Sequence, residues 1–475
     1  FSTLYGEFFF NLPKSKNATF GLHLRHLSSD GKTKLRGGDR VEDPFSQNNA
    51  TVFGSLNLGG TILSADLSYD RDAMRYYGYP EPIPANVPIQ YGLKQAYQNG
   101  NIKIALKSDE KNESDLKFNG GFNMGYFDAK TGQKQTNAGL FGKFDYDFGS
   151  LNGILDVSYD YYKTDSINLE LQSLPGTKTE GWVRIAPSVR LDGDNWSVRG
   201  GINFVAVQDK SFLNSTKLYP DFEANFRPIE GILTLYASFK GDLKNNRYGD
   251  IAYENYWTDP RHNVHNTDYN YLLSGGLKGK ITREISYNVG LKYSKAKDLY
   301  FYVLNSYDDM SSSTIQAPRI YNNAFDLVYD NAGIFNLSTE LSYVSGKDLS
   351  VVLKGNYYSY SLDNMPFAPQ KAKFDLAASA GLRIIDRLTG FTDVEIIGKR
   401  KAMTYYYSPF SSALPETKEF SIDPTIQLNL GATYDLIRNF KLFGRVDNLL
   451  NRQNEQWLGY ASQGLRLMAG MTFSF

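Results

Sequence analysis

The chain has 475 residues, no cysteine, and 51 basic against 51 acidic residues, so its net charge is zero. That balance excludes the basic excess of a nucleic-acid binder, and the missing cysteine excludes disulfides and thiolate metal sites. Mean hydropathy is −0.42, and no run approaches the roughly 18 apolar residues of a membrane helix, which excludes a helical membrane protein. A transmembrane β-barrel stays open, because only every second residue of its strands faces lipid. The 35 Tyr and 30 Phe suit the aromatic girdles of such a barrel, and the 42 Gly suit many tight turns.

Taken in order, almost every segment reads as a strand. Residues 2–11 and 18–27 form a hairpin, followed by a long polar segment over 28–49. Residues 51–58 and 62–70 pair over Gly59-Gly60, a permissive turn dipeptide. A second long segment runs over 71–98 and holds Tyr76, Tyr77 and Tyr79. Strands are then expected at 101–108, 115–126, 135–147, 151–162, 179–191, 196–207, 216–226 and 232–242, and an irregular segment at 243–267. The second half reads as strands at 269–280, 284–304, 322–344, 349–360, 372–384, 388–399, 425–436, 441–449 and 465–475, with long segments at 305–320, 361–371, 400–423 and 450–463.

Two patterns carry this reading. Leu233, Leu235, Ala237 and Phe239 oppose Thr234, Tyr236, Ser238 and Lys240, the period-two segregation of a strand with one apolar face. Short and long connections also alternate along the whole chain, as tight periplasmic turns and long outer loops do in outer-membrane barrels. Counting back from Phe475 at the periplasmic rim gives about 21 strands. Because bacterial single-chain barrels have even numbers, one further strand is expected upstream of Phe1. The expected fold is an all-β transmembrane antiparallel barrel of about 22 strands, one domain over residues 1–475 in the bacterial outer membrane.

The segment 442–475 narrows the reading. It holds Gly444-Arg445-Val446-Asp447-Asn448-Leu449-Leu450-Asn451, then Gly459-Tyr460, then Gly464-Leu465-Arg466 and a terminal aromatic strand. This resembles the C-terminal end of TonB-dependent receptors of the kind common in Bacteroidota, although the Gly464-Leu465-Arg466 spacing departs slightly from the family pattern. Residues 218–223 and 233–236 also resemble receptor-like barrel strands. The resemblance implies binding of a scarce ligand at the outer loops and its energised uptake, with outer-membrane lipids, TonB and other envelope proteins as partners. It also implies a plug domain and TonB box that the strands of this chain do not supply. Either these lie upstream of Phe1, or the barrel is a plugless, receptor-derived scaffold subunit of a secretion or barrel-assembly machine. A passive porin is a third reading.

Candidate sites are few. His262 and His265, flanked by Asp259 and Asp268, can be read as divalent-cation ligands or as a solvated loop. His23 and His26 fall on opposite faces of a strand and cannot share a ligand. Tyr76, Tyr77, Tyr79, Tyr253, Tyr256, Trp257, Tyr405, Tyr406 and Tyr407 cluster in outer segments. There they can stack on sugars or cofactors, bind a partner protein, or pack as an interface girdle. Lys240, Glu340, Asp375, Arg383, Arg445 and Asp447 are predicted to face the lumen, lining a channel or bracing the wall. No nucleotide loop, Gly-x-Ser-x-Gly, His-Glu-x-x-His or EF-hand loop occurs, so neither an enzyme nor a cofactor is expected.

Overall fold

The computed structural model describes residues 3–12, 17–80, 94–109, 111, 113–130, 132–165, 177–209, 215–260, 264–305, 323–406 and 416–474. The expected strands form, in order, β1 (Thr3–Asn11), β2 (Ala18–Lys34), β3 (Arg40–Asn57), β4 (Thr61–Arg75), β5 (Lys94–Ser108), β6 (Leu116–Ala129), β7 (Lys134–Asp147), β8 (Leu151–Asp165) and β9 (Lys178–Asp192). Next come β10 (Trp196–Asp209), β11 (Ser215–Ile229), β12 (Leu233–Lys244), the short helix α1 (Tyr248–Glu254), β13 (Thr267–Lys280), β14 (Ile285–Asn305), β15 (Phe325–Ser345), β16 (Leu349–Leu362), β17 (Phe374–Ile385) and β18 (Leu388–Ile397). The chain ends with β19 (Arg400–Tyr406), β20 (Glu416–Ile422), β21 (Thr425–Ile437), β22 (Phe440–Asp447), β23 (Glu455–Trp457), β24 (Tyr460–Ala461) and β25 (Arg466–Phe473).

Twenty-three of these strands form one sheet, in which successive wall strands pair antiparallel. β18 pairs with β21, and beyond that pair β19 and β20 continue the same two strands as a hairpin. The wall therefore has 21 strands side by side, one nearly closed barrel. Connections from odd to even strands lie on one rim and none is long. Those from even to odd strands lie on the other rim, which carries all the long connections, such as β12–β13 and β22–β25, besides tight ones at β2–β3 and β6–β7. At Gly59 and Gly60 both φ angles are positive, 75° and 99°, as a two-residue hairpin turn demands.

Register aligns the side chains in rings around the wall. Ile104, Phe122, Leu140 and Tyr159 are mutual neighbours on β5 to β8, and all are exposed, Leu140 at 59%. One residue along, the row reads Lys103, Asn123, Gly139 and Asp160. The first row is the lipid-facing belt and the second the lumen face, because adjacent strand residues point to opposite sides. β14 and β15 have 21 residues each, about 70 Å at 3.4 Å per residue, whereas a tilted strand crosses the membrane in about 9–11 residues. They rise well above the lipid.

Several expected loops turn out to be structured. The polar segment 28–49 is the upper half of the β2–β3 hairpin, in register up to Lys34 opposite Arg40. The segment 243–267 holds α1, 400–423 holds β19 and β20, and 450–463 holds the small β23–β24 sheet. These parts stand clear of the lipid, so nothing imposes apolar alternation on them and the period-two signal fades. Among the described residues β1 pairs only with β2, and β25 only with β22.

The assignment of the lipid face is open to test. Leu140→Arg should cost about 2–4 kcal/mol of stability in phospholipid vesicles, the cost of a cation near the bilayer midplane. Urea unfolding of the refolded barrel measures it, and a cost below about 0.5 kcal/mol would place Leu140 away from lipid.

Candidate outer-mouth site

The long-rim connections do not splay outward. Six of them contribute to one buried cluster: the β2–β3 tip (Leu35, Val41), the end of β4 (Tyr76, Tyr77), the β12–β13 connection (Ile251, Trp257), both ends of the β14–β15 connection (Tyr302 and Leu304 on β14, Phe325 and Leu327 on β15), the β19–β20 hairpin (Ala402, Ile422) and the β22–β25 connection (Leu458, Tyr460). Those strands are spread around the barrel, so their tips meet over its mouth. Trp257 stacks on Tyr460 with ring centroids 4.2 Å apart, and Tyr77 meets both edge-on at 5.6 and 5.0 Å. β19 crosses to pair in parallel with the top of β14 at Leu304 and Asn305. Gly78 permits one of the close approaches, since a Cβ there would lie 2.4 Å from the Tyr460 ring.

A buried ring must not strand its polar tip, and here each tip finds a carbonyl on another segment. The Tyr76 hydroxyl donates to Thr258 O at 3.0 Å, Tyr77 to Ala461 O at 2.9 Å, Tyr302 to Ile251 O at 3.2 Å and Tyr460 to Asn323 O at 2.6 Å. Trp257 Nε1 donates to Arg75 O at 3.0 Å. A second cluster continues beneath α1, with Met74, Tyr97, Phe127, Tyr248 and Ala252. There the Tyr97 hydroxyl donates to Tyr256 O at 2.9 Å.

The β22–β25 connection also clasps the β2–β3 hairpin, linking the last strands of the wall to the first. Arg36 forks onto Glu455 at 3.2 and 2.5 Å. Thr33 Oγ1 donates to Ser462 O at 3.0 Å, and Gln463 receives Ser29 Oγ at 3.1 Å while donating to Asp43 O at 2.9 Å. The motif that suggested the family shapes this connection. Asn448 and Asn451 adopt φ of 52° and 48°, a conformation that asparagine tolerates better than most residues. Asn448 holds Arg452 N and O at 3.1 and 2.7 Å, and Asn451 Oδ1 receives Leu465 N at 3.0 Å.

Two of the cavities in this region bear on the site. One, of about 310 Å³, is lined by Asp43, Gln47, Asp72, Tyr256, Trp257 and Arg466 among others. The other, of about 220 Å³, lies between α1 and β5 to β9. Both Asp43 and Asp72 stand more than ten residues above the inner-rim turn, beyond the span a strand needs to cross lipid. Burial pushes the Asp43 carboxyl up to about 7, against opposing contacts with Gln463, Arg466 and Tyr77. Burial likewise raises Asp72, although the Tyr256 hydroxyl donates to it at 2.9 Å.

The sequence candidates are distributed as follows. Tyr76, Tyr77 and Trp257 are in the aromatic core, and Tyr79 and Tyr256 pack against it. Tyr253 packs on the second cluster. Tyr405 and Tyr406 lie on β19 opposite Thr417 and Glu416, and Tyr407 and His262 lie outside the described residues. His265 stacks on Tyr329 at 4.5 Å, while Asp268 pairs with Lys217 at 2.9 Å and receives the Tyr219 hydroxyl at 2.7 Å. Among the described residues no three His, Asp or Glu side chains converge as a metal site. Lys240 pairs with Glu223 and, at 3.6 Å, with Asp221. Glu340 meets Lys354 at 3.3 Å, Asp375 accepts from Asn356 at 2.8 Å, Arg383 lies 3.8 Å from Asp348, and Arg445 bonds Asp447 at 2.5 Å. Reasoning from aromatic runs missed Tyr97, Tyr248, Tyr302, Phe325 and Tyr460. Only Gly459-Tyr460 carried a signal, as part of the family-like motif.

Asp43 predicts a pH dependence. Its folded pKa is raised, so the protonated form favours folding. Its contribution is complete below about pH 4 and is lost as pH rises through about 7. Asp43→Asn should therefore melt higher than the parent at pH 8 and flatten the change in melting temperature between pH 5 and 8. A parent whose melting is no more pH-dependent than the variant's would contradict the burial of this carboxyl.

No protein-family model matches the chain, and no curated protein matches it. Solved structures do resemble it. The FrpB iron transporter of Neisseria meningitidis (F3-3 variant) superposes with a TM-score of 0.73 at 10% identity, covering 100% of this chain and 79% of its own. A mutant of the ferric enterobactin receptor PfeA of Pseudomonas aeruginosa gives 0.67 at 12% identity, covering 100% of this chain and 78% of its own. The copper transporter OprC gives 0.69 at 11% identity, with 100% and 79% covered. The full length of the chain, with its 21-strand wall and apolar outer belt, thus has the barrel fold of the TonB-dependent outer-membrane receptors.

Proposed function

We propose that this barrel is a gated uptake receptor that binds its ligand beneath the outer-mouth core and admits it through the lumen, with energy delivered through TonB. The observation that carries the reading is the convergence of six outer connections on Trp257, Tyr77 and Tyr460. A passive porin needs an open mouth, and these connections occupy it. They are joined by aromatic contacts, scattered side-chain hydrogen bonds and one short parallel pairing of β19 with β14 rather than by the continuous ladders of the wall, so they can part while the wall stays intact. The similar structures bear the names of transporters and receptors of iron, ferric enterobactin and copper. That supports a receptor over an enzyme, and says nothing finer about this chain's cargo.

Core and wall can be separated experimentally. Truncating a buried aromatic costs about 3–5 kcal/mol, so Trp257→Ala and Tyr460→Ala should loosen the mouth and leave the wall folded. In planar bilayers the parent should be nearly silent, and each variant should conduct. A parent that conducts as freely as its variants would favour the porin and end the gated reading.

A further inference from the structure

The cavity of about 220 Å³ beneath α1 has a chemistry of its own. Its floor is the lumen face of β5 to β8, where Asn101, Gly125, Asn137 and Tyr162 stand in one row across the ladder. The next row outward holds Asn99, Phe127, Gln135 and Thr164. Gly125 makes the first row flat. A Cβ there would lie 2.3 Å from Asn137 Oδ1 and 3.1 Å from Asn101 Oδ1, so the two amides extend over bare backbone. Asn245, Asn246 and Tyr253 border the same cavity from the β12–β13 connection.

Each charged side chain of the lining has an ion-pair partner, that of Lys163 being Asp165, just outside the lining. Lys163 pairs with Asp165 at 2.8 Å, Lys178 with Glu180 at 3.0 Å, and Arg247 with Asp250 at 3.0 Å. An anionic or cationic ligand would find no uncompensated partner among these groups. Two buried polar atoms of the lining, Asn245 Nδ2 and the Tyr253 hydroxyl, have no hydrogen-bond partner among the described residues. A buried polar atom left unpaired is unfavourable, and a ligand offering both donors and acceptors would satisfy both atoms.

We propose that this cavity binds one end of a neutral, hydroxyl-rich ligand of the saccharide class. Amide side chains present a carbonyl acceptor beside an NH₂ donor, the complement of vicinal hydroxyls, which both donate and accept. The Phe127 and Tyr253 rings supply apolar surface for the C–H faces of a sugar ring. The volume is below the roughly 300–1,000 Å³ of pockets that enclose drug-sized ligands, so it suits a terminal unit rather than a whole oligomer. The inference rests on the ligand-binding reading above and assigns its chemical class.

The test uses the full encoded protein in detergent, probed on an array of neutral, acidic and amino oligosaccharides, with titration calorimetry on the best neutral binder. Binding should be confined to neutral glycans. It should weaken at least tenfold in Asn137→Leu and in Tyr253→Phe, with the unfolding midpoint held within a degree or two. Tyr253→Phe removes a single oxygen and keeps the test valid should Asn137→Leu fail to fold. Preference for acidic or amino glycans, silence toward every neutral glycan, or indifference to both variants would overturn the assignment. In that event, a parent silent in bilayers beside a conducting Trp257→Ala would leave the gated receptor standing and remove only the saccharide.

Discussion

Inside a bilayer no water is available to satisfy a backbone amide, and each unpaired N–H or C=O costs several kcal/mol. The rest of this molecule follows from that constraint. A chain without apolar helices can cross lipid only as paired strands, and the 21 wall strands here pair in sequence order, all but β1 and β25 on both sides among the described residues. Pairing fixes register, register fixes which side chains share a row, and the rows divide into a belt such as Ile104, Phe122 and Leu140 and a polar counterpart such as Lys103, Asn123 and Asp160.

Above the lipid the constraint relaxes and a different one takes over. The long connections must satisfy their own backbone while covering a wide mouth. They do so with aromatic side chains, which pair a large apolar face with one polar tip. Trp257, Tyr76, Tyr77, Tyr302 and Tyr460 each bury the ring and spend the tip on a carbonyl of another segment. The outer mouth is thereby built from contacts of a kind that can be exchanged for a ligand's, whereas the wall is not.

The clasp between the β2–β3 tip and the β22–β25 connection ties the ends of the wall at the outer rim. Its bonds involve side chains, the forked Arg36–Glu455 pair and Gln463 between Ser29 and Asp43, rather than a strand ladder. Asp43, raised by burial, belongs to that same clasp, so the rim contact and the protonation of one carboxyl are linked.

The sequence by itself determined the class of fold, the phase of the two rims and the run of wall strands, because the period-two pattern is imposed locally by lipid on one face. Leu233 to Lys240 alternate as the β12 register requires, and β14 and β15 read as overlong strands from their own residues. It also marked Asn448 and Asn451 through a motif, without revealing that both are left-handed hinges of a connection. Only the tertiary structure decided that residues 28–49 are strand, that Trp257 meets Tyr460, that Arg36 meets Glu455, and that Asn101 and Asn137 flank the bare backbone of Gly125. Those partners lie tens to hundreds of residues apart, and no local period records them. They are settled only when the nearly closed wall brings the strand tips together over the mouth.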